Sequence, residues 1–233
     1  NDPLDGAEDF FTAQALTNRA ADLAQVKDQV GQAISTIQAT DVGLEAINDL
    51  SGQARAIAQQ AQNTNAPTER ARLADQFNQI RVQIDSIAAN SGIGDNNLIG
   101  SSPDTLEVSL NEDGSSSLSV QGADSTSAGL GISARTFGSD ADIDAALADI
   151  SSAQTQVRSN STSLSSNTST LQNRIDFTDS LSNTLEQGAA NLTQADLNEE
   201  AASLLSLQTR QALGANALTI ATDNERAVLS LFS

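Results

Sequence analysis

Three carboxylates at alternate positions, Asp140, Asp142 and Asp144, are the residues in this chain best spaced for chemistry. That spacing opens a calcium loop, whose first, third and fifth side chains converge on one cation. Such a loop also needs a glycine at its sixth position and a glutamate at its twelfth. Here those positions hold Ala145 and Ser151. The same carboxylates suit a helix start, where acidic groups meet the positive end of the helix dipole. The missing glycine and glutamate favour the helix start, so no metal is expected. Asp95, Asn96 and Asn97, and Asn111 to Asp113, are ordinary turn formers that need no cation to explain them.

Other reactive groups are scarce. The chain has no Cys, His or Met, and Lys27 is its only lysine. No disulfide, thiolate nucleophile or imidazole ligand can be built. Serines are plentiful but have no base to activate them, and the glycines form no phosphate cradle. The reading is therefore a protein without catalysis and without a cofactor. With 30 Asp and Glu against 11 Lys and Arg, the formal net charge is −19. That surface repels nucleic-acid phosphates and anionic lipid, and no apolar run approaches the length of a membrane span. The Ser/Thr-rich stretch from Ser159 to Thr170 offers either a glycan-contact surface or a solvated helix face, and the pattern around it favours the face.

These residues need elements to carry them, and one repeat supplies most of the chain. Leu16, Leu23, Val30, Ile37 and Leu44 recur every seven residues. A second row, Val26, Ala33, Ile47, Ala54 and Ala61, lies three positions on, with a polar step at Thr40. Two such rows make a continuous apolar stripe on a helix that supercoils with a partner. The matching stripe comes more than a hundred residues later: Ile143, Ile150, Val157, Leu164 and Leu171, then Leu185 and Leu192 beyond a polar step at Thr178. The two ends of the chain are therefore expected to pair. A helix from Asp9 to Gln62 would run roughly 80 Å at about 1.5 Å per residue, so a rod is predicted. Aromatics at 3% fit a Leu/Ile/Val/Ala seam better than a bulky globular core.

In chain order, four parts are predicted, at residues 1–89, 90–138, 139–192 and 193–233. The first holds a long helix starting near Glu8 to Thr12, with a soft point at Thr40-Asp41-Val42-Gly43. Pro67 ends it, and a second helix follows with Leu73, Phe77, Ile80, Ile84 and Ile87 on one face. Residues 90–138 turn to Gly, Ser, Asp and Asn. Within them Leu106, Val108 and Leu110, and then Leu118 and Val120, alternate around the turn signal Asn111-Glu112-Asp113-Gly114 and predict a hairpin. Ser139 with Asp142 predicts a capping box for the third helix. Gly188 should weaken that helix near Gln187, and Thr193 with Asp196 should start a terminal amphipathic helix. Its Leu218, Val228, Leu229 and Leu231 have no evident partner in the chain, which marks an interface.

At these residues the chain resembles flagellin, the subunit of the bacterial flagellar filament, as found in alphaproteobacteria. Asn18-Arg19-Ala20-Ala21-Asp22-Leu23, Gly31-Gln32-Ala33-Ile34 and Asp41-Val42-Gly43-Leu44 resemble the family's N-terminal segment. Leu171-Gln172-Asn173-Arg174-Ile175-Asp176 resembles its C-terminal coiled-coil motif. Gln208-Thr209-Arg210-Gln211-Ala212-Leu213-Gly214 and the ending Val228-Leu229-Ser230-Leu231-Phe232 resemble its terminal helix. The resemblance implies a mainly α fold, with a helical rod built by both chain ends and a small β-hairpin region between them. It also implies a secreted protein at the cell surface that polymerises with itself, aided by the flagellar export apparatus, an export chaperone and a filament cap.

Relative to that family the chain reads as a short form lacking the extreme N-terminal helix, the expected partner of the stripe after Leu197. The family stretch sensed by the animal Toll-like receptor, Gln-Arg-Val-Arg-Glu-Leu, reads Gly52-Gln53-Ala54-Arg55-Ala56-Ile57 here. Arg55 is kept, while Gln53 and Ala56 replace an arginine and a glutamate and Ile57 replaces the leucine, so weak receptor activation is implied. The competing expectation is a flagellin-like surface protein that binds an external ligand such as a polysaccharide. The absence of Trp and Tyr, the usual sugar platforms, weighs against it.

Overall fold

The structure is a computed structural model that describes residues 5–230, less the side chains of 5, 6, 194–200, 225 and 227–230. Its elements are α1 (Asp5–Gln62), α2 (Pro67–Asn90), β1 (Thr105–Ser109), β2 (Ser117–Gln121) and α3 (Asp140–Ser230). The chain divides into two compact units, one of Asp22–Ser180 and one of Asn1–Ala21 with Leu181–Ser233.

In the Asp22–Ser180 unit, the heptad rows are the core. Val26, Val30, Ile37, Leu44 and Ile47 of α1 cluster with Ile143, Ile150, Val157, Leu164 and Leu171 of α3. Four side-chain ties show that these helices run antiparallel, because the partner number falls as the α1 number rises. Lys27 Nζ meets Asp179 Oδ1 at 2.8 Å, and the Ser161 hydroxyl donates to Asp41. Further along, Arg55 Nη1 donates to Gln154 Oε1 at 3.3 Å and Gln62 Nε2 to Asp144 Oδ1 at 3.0 Å. Both polar steps in the repeat are buried, Thr40 fully and Thr178 nearly so. The Thr40 hydroxyl donates to Thr36 O at 2.9 Å, so the group is satisfied within its own helix and the seam passes over it.

Pro67 occupies the first turn of α2, where its missing N–H costs nothing. Leu73, Ala74, Phe77, Ile80, Ile84 and Ala88 are the buried face of that helix. Its last carbonyls are taken by one side chain: Asn97 Nδ2 donates to Ala88 O and Ala89 O at 2.8 and 3.1 Å. The Asn97 Oδ1 in turn accepts the N–H groups of Ile99 and Gly100, both at 2.9 Å. This knot brings the following loop against α1 at Gly43. A Cβ there would sit 2.6 Å from Ser91 Cβ and 2.9 Å from Ile99 Cδ1. The predicted soft point in α1 is therefore a docking notch, and the helix passes through it unbroken.

β1 and β2 pair antiparallel with Leu106 opposite Val120 and Val108 opposite Leu118, so the apolar alternation lies on one face. Gly114, at φ 69°, makes the hairpin turn. The loop after β2 buries Leu130, Ile132 and Phe137, which no periodicity announces. Arg81 Nε of α2 holds Ile132 O at 2.7 Å, and Asp85 Oδ1 accepts the N–H of Ser127 at 2.7 Å. Asn78 and Arg135 exchange two bonds, and the Phe77 and Phe137 rings lie 5.3 Å apart.

In the other unit, the start of α1 packs on α3 through small residues. Ala13, Ala20 and Ala189 are buried there. Leu16, Leu185 and Leu192 are only half-buried, so the outermost repeats of the predicted seam are looser than the rest. A Cβ on Gly188 would meet Leu16 Cδ1 at 3.4 Å, an ordinary contact.

Two expectations are corrected. α3 does not break at Gly188 or restart at Thr193, but runs unbroken for 91 residues. One glycine costs only about 1 kcal/mol in a helix, and the Thr193 hydroxyl bonds back to Ala189 O inside the helix rather than capping a new one. The capping box at Ser139 is half made. Ser139 Oγ does accept the Asp142 N–H at 3.2 Å, but the Asp142 carboxylate turns the other way, to the loop that precedes the helix.

Candidate functional site: helix surfaces and an apolar helix end

The three spaced carboxylates do not converge. Asp140 pairs with Arg70 Nη2 at 2.5 Å, and Asp144 accepts from Gln62 on α1. Asp142 gathers the N–H of Phe137 at 2.8 Å, the N–H of Thr136 at 3.1 Å and Arg135 Nη1 at 3.2 Å. Burial alone would raise the Asp142 carboxyl. Those N–H donors and the guanidinium outweigh it and hold the group below its ordinary value. Arg135 also reaches Asp149 at 2.5 Å. Its bond to Asp149, against the cost of burial and with help from Asp142, raises the guanidinium further. These groups clasp a loop to a helix, and among the described residues no acidic cluster is placed to hold a metal ion. Arg135 was missed from sequence. The available signal was that it is the only base between Arg81 and Arg158, amid many acids.

The Ser/Thr stretch is a solvated face. Leu164 and Leu171 are buried on one side of it, while Thr162, Ser169 and Thr170 fold their hydroxyls back onto carbonyls of their own helix. The altered receptor stretch lies on α1. Gln53 is exposed, Ile57 is half-buried, and the half-buried Arg55 is engaged by Gln154.

Beyond residue 200 the character of α3 changes. From 201 to 224 only Ser203 is even partly covered. Leu204, Leu205, Leu207, Leu213, Leu218 and Ile220 are 51–70% exposed. At about 100° per residue, Leu204, Leu207 and Leu218 share one side, and Leu205, Leu213 and Ile220 share the opposite one. The segment is therefore not amphipathic in the predicted sense. It carries two apolar stripes, and Arg210 and Asp223 are its only charges in a chain of net charge −19. The side chains of Val228 and Leu229 are not described, and Leu231 lies outside the described residues. Among the described residues, no helix is long and apolar enough to cross a membrane. Exposed Phe10 flanks a groove of about 320 Å³ that Ala13, Gln14 and Thr17 share with Glu186, Ala190 and Thr193. Sequence reading did not single that groove out.

The described residues thus form an antiparallel helical seam with a hairpin on its flank, and a helix whose apolar stripes are left open. No family model matches the chain. Its relatives are more telling. It is 31% identical over 225 residues to flagellin FljK of Caulobacter vibrioides, covering 96% of this chain and 82% of that protein. Flagellin FljM of the same organism is 30% identical over the same shares. Flagellin A of Rhizobium meliloti is 46% identical over 57 residues, or 24% of this chain and 14% of that one. A crystal structure of Bacillus cereus flagellin shares the fold, with a TM-score of 0.58 at 19% identity over 64% of this chain and 88% of that one. The chain belongs to the flagellin family of structural filament proteins.

Proposed function

We propose that this chain is a self-associating subunit of a flagellar filament that serves motility. It would be secreted and would act outside the cell. The observation that carries the reading is the 201–224 segment, with two opposed stripes of exposed Leu and Ile and almost no charge. A helix apolar on opposite sides is stable only when buried from more than one direction. Neighbouring copies supply that cover, and the segment, whose Arg210 and Asp223 cancel, lets them approach despite the acidity elsewhere. Export apparatus, chaperone and filament cap are the further partners this function calls for. With Gln53 and Ala56 in place of charged residues and Arg55 engaged by Gln154, weak activation of the Toll-like receptor follows.

The test is sedimentation and negative-stain microscopy of the purified chain at rising protein and precipitant-salt concentration, beside Leu204→Asp/Leu218→Asp. The unaltered chain should form sedimenting polymer, and the variant should stay soluble with the same melting temperature. Equal sedimentation of both would refute the proposal. A polysaccharide-binding protein would instead remain monomeric throughout and respond to added glycan.

A further inference from the structure

The two-stranded sheet leaves the outer flank of β1 open. Leu110 N donates to Ser116 O at 2.8 Å and Gly122 N to Asp104 O at 3.0 Å. With the register fixed, these bonds set the phase: even-numbered residues of β1 pair with β2, and Thr105, Glu107 and Ser109 turn their N–H and C=O groups away from it. Among the described residues those outward groups have no backbone partner. The flank borders a groove of about 260 Å³, lined by Gln29, Gln32 and Thr36 of α1, by Asn96, and by Glu107 and Ser109 of β1 itself. A strand laid there would have main-chain groups on one side and side-chain amides beneath it.

We propose that this groove accepts an extended, cationic polypeptide strand of another protein, which joins the sheet as a third strand beside β1. Open edges are usually blunted by Pro, Lys, a bulge or a covering element, and β1 has no Pro, Lys or bulge. Its one charge is Glu107, and no basic residue lines the groove. A lone carboxylate there attracts a basic strand and repels an acidic one. A second copy of this chain, at net charge −19, is disfavoured on that ground. Main-chain pairing gives such binding its affinity, and alternate side chains give it selectivity.

The probe is a decapeptide of alternating Lys and Thr, compared with alternating Glu and Thr and with alternating Lys and Pro. Binding is read by titration and by amide hydrogen exchange of the unaltered protein. The Lys-Thr peptide should bind and slow exchange at Glu107 and Ser109, and the other two should not. Ser109→Pro removes an outward N–H without touching the bonds to β2 or the Glu107 carboxylate, and should weaken binding about fivefold to tenfold, the worth of about one hydrogen bond. Ser119→Pro, whose N–H faces the far flank, should leave binding unchanged. Equal binding of the Lys-Pro peptide would overturn the proposal, since charge alone would then suffice. So would unchanged exchange at Glu107 and Ser109, or dimerisation of the protein through β1.

Discussion

Beyond its first turn α1 holds three glycines, at positions 31, 43 and 52, and alanine substitution should give them opposite signs. Glycine in a helix interior costs about 1 kcal/mol relative to alanine. Nothing lies within 4 Å of a Cβ at Gly31 or Gly52, so each alanine there should stabilise the fold by about 0.5–1 kcal/mol. At Gly43 the same methyl would press on Ser91 Cβ at 2.6 Å and Ile99 Cδ1 at 2.9 Å. Ser91 cannot easily retreat, because its hydroxyl donates to Ile87 O at 2.6 Å. Overpacking of that kind costs about 1–3 kcal/mol, which exceeds the helical gain. Gly43→Ala should therefore destabilise by about 1 kcal/mol net. Gly43→Ala/Ser91→Gly should recover most of the loss. Urea unfolding of the four variants reads this as shifts in midpoint at constant slope. If Gly43→Ala stabilises as much as Gly31→Ala, the 91–99 loop does not dock in the notch.

Ile150→Asp should cost well over the about 2–5 kcal/mol of truncating a buried aliphatic side chain, because it also buries an unpaired charge. Asp140→Asn removes only an exposed partner of Arg70 and should cost about 1 kcal/mol or less, with no response to calcium in thermal melts. A calcium-dependent loss in the Asp140 variant would restore the metal reading. Thr40→Val should be neutral or should stabilise by up to about 1 kcal/mol, since Thr36 O keeps its helical partner; a loss above that in urea unfolding would show that the hydroxyl is needed. Acid should loosen the corner at 135–142. The Asp142 carboxyl is lowered on folding, so its contribution is complete above the ordinary carboxylate value and is lost below about pH 4 as pH falls through the folded value. Asp142→Asn should lower stability at neutral pH and flatten that acid limb; a parallel limb would contradict the assignment.

The seam could be read from the chain because a seven-residue apolar repeat has few other uses, and Ile37 or Ile150 gains nothing from that spacing outside a helix pair. The hairpin was legible for a similar reason, since Leu106, Val108, Leu118 and Val120 share a face only if the chain turns at Asn111–Gly114. What stayed hidden depends on contacts distant in sequence. Asn97 looks like any turn residue until it meets the end of α2, and Phe137 like any loop residue until it meets Phe77. Gly188 and Thr193 misled because local signals weigh about 1 kcal/mol each, too little to stop a long helix. The apolar character of the end of α3 was legible, but its two opposed stripes follow only from tracing the unbroken helix.

Hydrogen exchange across α3, before and after the chain is driven to sediment, tests self-assembly through this helix most directly. Amides at 143–171 should be slow in both states. Those at 201–224 should exchange fast in the monomer and become protected in the polymer. Protection of 201–224 already in the monomer, or fast exchange there in the polymer, would contradict it.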